Sequence, residues 1–118
     1  HTLGFFSQLS CGELSYYAYN LPIFEFHNEL YGWIQEKTNN MTEGSIENYL
    51  ATQHGVVKDK VWIKADRSNH PQSPSDVTIM TYIRNFTHHP ENTYNQDYTK
   101  IELSSSIEKM INIVNAIK

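Results

Sequence analysis

Cysteine is nearly absent from this 118-residue chain. Cys11 stands alone, so no internal disulfide and no cysteine-based zinc site can be assembled, which predicts a reducing, cytoplasmic setting. The sequons Asn40-Met41-Thr42 and Asn85-Phe86-Thr87 then go unused. A basic excess is missing too: the formal net charge is -4 and the pI about 5.8, which argues against a general nucleic-acid coat protein. Long apolar runs are absent. Asn20, Glu25, His27 and Glu29 interrupt the most apolar region, so nothing reads as a membrane span or a signal peptide. The chain also lacks an initiator methionine; His1 reads as a tag remnant or as the start of a piece cut from a longer protein. Neither an internal repeat nor a low-complexity tract is present.

What remains is 39% hydrophobic and 13% aromatic, enough apolar material for one core and too much for a disordered chain. A single domain over residues 1–118 is the expectation. Charge is unevenly spread: residues 1–57 hold one basic residue, Lys37, whereas Lys58, Lys60, Lys64 and Arg67 crowd the next ten positions. A polyanion would approach there, with Trp62 as the aromatic able to stack on a base. The plainer account is a solvated loop whose lysines are offset by Asp59 and Asp66. Tyr16, Tyr17, Tyr19 and Tyr31 recur at helical spacing and read as core or interface.

Periodicity and caps predict helices near residues 13–38, 45–54, 76–89 and 99–117. Ile23, Phe26, Leu30, Trp33 and Ile34 recur at helical spacing after Pro22, and Asn39-Asn40 ends that segment. Glu25, His27 and Glu29 would share a face, as a metal site needs, only on a strand. Ser45 is placed as the cap of the second helix and Gly55 as its stop. Ser75 or Asp76 would cap the third, on which Ile79, Ile83 and Phe86 form the apolar stripe. Thr99 with Glu102 makes a capping box for the last, which sets Leu103, Ile107, Met110, Val114 and Ile117 on one face. The predicted architecture is all-α, a small helical bundle with one irregular insertion over residues 56–75, where at most one short strand pair is expected.

The chemistry concentrates in "IRNFTHHPEN", residues 83–92. Met80, Arg84 and His88 fall on one helical line, and His89 would point about 140° from Arg84 in an ideal helix. Pro90 disfavours helical geometry at the preceding residue, so His89 can swing off the helix end and turn back. The competing account pairs Arg84 with Glu91 and leaves both histidines as caps of the helix C-terminus.

Arg84-Asn85-Phe86-Thr87-His88-His89 resembles the R-x4-H motif of HEPN domains, small all-helical domains of which many are ribonucleases in toxin–antitoxin and antiphage systems. Arg84 and His89 meet the spacing and Asn85 fills the polar slot. "RNFTHHPEN" with the following "YTKIELSSSIEKM" is also similar to C-terminal segments of ATPase-linked prokaryotic defence proteins. The resemblance implies a metal-independent endoribonuclease without a cofactor, working as a homodimer whose two motifs share one cleft. An ATPase or antitoxin partner is implied by the company such domains keep. RNA supplies its own nucleophile, the 2′-hydroxyl, so the enzyme needs a proton carrier and a cation for the developing charge on phosphorus. His89 would be the first and Arg84 the second, with Asn85 orienting imidazole or substrate and His88 a reserve proton carrier. Lys58, Lys60, Trp62, Lys64 and Arg67 would contact the RNA. The alternative is a HEPN-like module without chemistry that dimerises or binds RNA, a nucleotide or a protein.

Overall fold

Among the described residues four helices form where caps and apolar periodicity agree, and a short antiparallel hairpin fills part of the connection between the second and third of them. The computed structural model describes residues 23–118. Cys11, Tyr16, Tyr17, Tyr19, Pro22 and the helical expectation before residue 23 lie outside the described residues.

Helix α1, Phe24–Thr38, turns Leu30, Tyr31 and Ile34 inward, and Asn39 ends it in the left-handed region at φ 58°. Its N–H is thereby spent on the carbonyls of Gln35 and Glu36. Helix α2, Glu43–His54, starts three residues earlier than Ser45 would place it. Thr42 is the cap, its hydroxyl accepting the Ser45 N–H, and Gly55 stops the helix at φ 63°. Strand β1, Lys60–Trp62, pairs antiparallel with β2, Ser75–Val77, in the register Lys60 to Val77 and Trp62 to Ser75.

That pairing corrects the expected start of the third helix. Ser75 and Asp76 are good caps locally, but the sheet takes their backbone and buries Val77 against Trp62. Helix α3 therefore spans Ile79–His88, capped by Thr78. Helix α4, Lys100–Ile117, carries the full Thr99/Glu102 capping box.

Leu30, Ile34, Ile46, Leu50, Met80, Ile83, Ile107, Met110 and Val114 are buried in one core between the four helices. Burying each such side chain contributes about 1.5–3 kcal/mol. A second, smaller cluster of Trp62, Val77 and Tyr82, with Phe86 against it, holds the hairpin on α3. Among the described residues no helix is long and apolar enough to cross a membrane.

His27 shows how the core constrains its polar members. On the helix its ring turns fully inward while Glu25 stays exposed. Its Nε2 lies 2.7 Å from Ser106 Oγ and its Nδ1 3.0 Å from Asn28 Oδ1, a pattern that suits neutral imidazole with Nδ1–H donating. Burial pushes its pKa down from 6.5 to about 4, only partly opposed by the Asn28 hydrogen bond. Between those two values the unfolded chain holds a proton that the folded chain refuses. Stability should therefore be undiminished by this group above pH 6.5 and fall as pH drops toward 4. The loss amounts to about 3 kcal/mol across that window. Urea midpoints measured across it should show the slope, and His27→Gln should flatten it.

Candidate functional site

The C-terminal end of α3 is where local chemistry and tertiary packing meet. Ile79, Met80 and Ile83 anchor the helix in the core, so Arg84, one turn after Met80, comes out half-buried at its border. The helix stops at His88. His89 leaves it at φ -128° and ψ 66°, its N–H still bonded to the Asn85 carbonyl at 3.0 Å, and Pro90 prevents a further turn. The chain then folds back: Asn92 N–H donates to the His89 carbonyl, and the buried Asn92 side chain donates to the Ile63 carbonyl at 2.8 Å. Asn95 binds the same residue twice, its Oδ1 accepting the Ile63 N–H and its Nδ2 donating to the Ile63 carbonyl.

This return pins the helix end to the hairpin and leaves a cleft of about 510 Å³ between them. Arg84, Asn85 and His89 from the end of α3 line it together with Trp62, Lys64 and Arg67 from the hairpin and its loop and Glu43 from the start of α2. Two distant parts of the sequence, the basic cluster and the Arg–His stretch, thus come to one place.

The remaining residues singled out in the sequence go elsewhere. His88 is exposed and does not line the cleft; partial burial, with Arg84 and His89 as neighbouring charges, lowers its pKa. Lys58 is exposed outside the cleft. Lys60 lies 2.8 Å from Glu102 and over the Tyr82 ring at 4.7 Å; the Glu102 bond raises its pKa and ties β1 to α4. Trp62 is 2% exposed, its ring edge-on to Tyr82 at 5.3 Å, so both of its faces are taken by packing.

Arg84 does not pair with Glu91. That carboxylate lies 3.3 Å from His89 Nδ1, which orients the ring with Nε2 as the free, basic nitrogen when Nδ1 carries the proton. Asn85 is 2% exposed and donates from Nδ2 to Glu43 at 3.1 Å. Among the described residues Arg84 has no ion pair. Lys64, Arg67 and Arg84 are balanced in the cleft by Asp66 and Glu91, which the sequence had set against the basic loop and Arg84, and by Glu43, to which it gave no part in a site. Glu43 could not have been found there, being 42 positions from Asn85; Glu91, two from His89, carried a readable signal.

The basic wall is a structured loop. Asp66 Oδ1 accepts the N–H groups of Ser68 and His70, Asn69 adopts φ 61°, and Gln72 N–H returns to the Lys64 carbonyl. Tyr94 Oη caps the tip by donating to the Asn69 carbonyl. Lys64 and Arg67 are therefore carried on a braced turn.

No protein-family model, curated protein or solved structure matches the chain.

Proposed function

We propose that this domain is a metal-independent endoribonuclease of the HEPN type, acting on RNA through 2′-hydroxyl attack. The observation that carries the proposal is the cleft that Arg84, Asn85 and His89 line together with Lys64 and Arg67. A half-exposed imidazole that leaves the helix beside a guanidinium can move protons while the cation meets charge on phosphorus. Asn85, held by Glu43, supplies a fixed wall beside them. In this reading the 2′-hydroxyl loses its proton to one imidazole, its oxygen bonds to phosphorus, and the 5′-oxygen leaves with a proton from a second. The second imidazole is that of another copy, so the working unit is a homodimer of a cytoplasmic toxin or antiphage effector, regulated by an ATPase or antitoxin.

The test is incubation of the purified domain with total RNA in the presence and absence of chelator. Cleavage unaffected by chelator, with products ending in a cyclic phosphate, is the expected result. Light scattering at micromolar concentration should give twice the 13.8 kDa chain mass. An active protein that stays monomeric would contradict the shared site. A protein that binds RNA or a partner without cutting it would favour the interaction module instead.

The positions of the basic residues sort their expected contributions. Lys64→Ala and Arg67→Ala should each weaken RNA binding and make the logarithmic salt dependence shallower by about 0.7 for each lost phosphate contact to a single strand. Lys60→Ala should leave that slope unchanged, because its ammonium is committed to Glu102. Fluorescence anisotropy at a series of salt concentrations separates the two cases.

A further inference from the structure

The guanidinium of Arg84 has an unusual neighbour for a cation at the edge of a core. It lies 5.8 Å from the centre of the Tyr31 ring, and that ring is 2% exposed. Glu43 and Glu91 line the same cleft, yet Glu43 accepts from Asn85 and Glu91 faces His89.

The ring itself is locked from behind. Tyr31 Oη lies 2.7 Å from Thr81 Oγ1, and that hydroxyl donates to Glu47 Oε2 at 2.7 Å. The buried Glu47 carboxylate also takes the Thr78 N–H at 2.8 Å and the Thr78 hydroxyl at 2.6 Å. A carboxylate can only accept, so the donor order runs from Tyr31 to Thr81 to Glu47. Helices α1, α3 and α2 thus fix one aromatic plane beneath Arg84.

An aromatic face holds a guanidinium differently from a carboxylate. It attracts the cation through its quadrupole but leaves the charge unneutralised and the N–H fork free for another acceptor. A carboxylate in that place would have to be displaced by any incoming phosphate. We propose that Tyr31 is the positioning residue of the cleft, presenting Arg84 as an uncommitted fork to a phosphodiester of single-stranded RNA. The ligand rests on the RNA reading above; the role of Tyr31 does not require that the RNA be cut.

The test uses a fluorescein-labelled 2′-O-methyl oligouridylate, which lacks the free 2′-hydroxyl and cannot be cleaved. Arg84→Ala and Tyr31→Leu are each expected to weaken its binding by about tenfold, a loss of one phosphate contact. The double variant should bind no more weakly than Arg84→Ala alone, and Tyr31→Phe, which keeps the ring, should restore most of the affinity. Because Tyr31→Leu alters a buried site, the Arg84 Cδ protons of the unmodified protein provide a second readout. Their NMR signals should be displaced upfield by the ring.

Additive losses, equal damage from Tyr31→Phe and Tyr31→Leu, or an absent ring shift would each overturn the proposal, as would a wild-type protein that does not bind the probe. A wild-type protein that binds it yet leaves ordinary RNA intact defeats the ribonuclease reading alone. The binding series then still decides for or against Tyr31.

Discussion

His89→Ala is expected to lower RNA cleavage by about 10²-fold or more, the usual scale for removing a general acid or base, with little change in folding. The fold should survive because the ring is about half exposed and its contact with Glu91 lies at the surface. Arg84→Ala should cost a comparable factor, through lost stabilisation of charge on phosphorus. His88→Ala is the internal control. Its side chain is exposed and is not among those that line the cleft with His89 and Arg84, so activity should largely persist. Single-turnover cleavage assays on the three variants decide the matter. Loss of activity with His88→Ala and not with His89→Ala would move the site to the Arg84/His88 line of α3. Indifference to both would leave the histidines as ends of a helix and favour the interaction module.

Trp62→Ala should destabilise the protein by about 3–5 kcal/mol, the range for emptying a buried aromatic site. The expectation rests on a ring that is 2% exposed and packed against Val77, Tyr82 and Phe86. Its edge-to-face contact with Tyr82 adds to what burial supplies. Denaturant midpoints should shift accordingly, and Trp62→Phe should recover much of the loss. The same variants decide between packing and base stacking. A stacking residue would lose RNA affinity on truncation while leaving the midpoint nearly unchanged. A core residue does the reverse until the hairpin itself comes loose, when Lys64 and Arg67 lose their bracing and binding falls with stability.

These two residues also mark the boundary between what short stretches of chain encode and what packing decides. The stop at Pro90 was legible because it depends on the clash between a proline ring and the residue before it. The Thr99/Glu102 box, the left-handed ends at Asn39 and Gly55 and the apolar stripe of α4 are equally local, each settled within a turn or two of backbone. The mostly helical architecture followed from them. So did the pairing of Arg84 with a histidine at the helix end as a candidate site.

The remaining features depended on residues far apart in the chain. Ser75 and Asp76 have the chemistry of caps, but a partner strand 15 residues away claims their backbone, and the cap passes to Thr78. Lys60 and Lys64 look alike in sequence; Glu102, 42 positions from Lys60, withdraws the first from the cleft. Tyr31, Glu47 and Thr81 bear no mutual spacing that a reader could recognise, being 50 and 34 residues apart where they touch. Backbone sterics and capping act over a few residues and can be read from them. Burial and buried hydrogen bonding depend on which distant groups the core brings together, and that is settled only when the four helices and the hairpin close on one another.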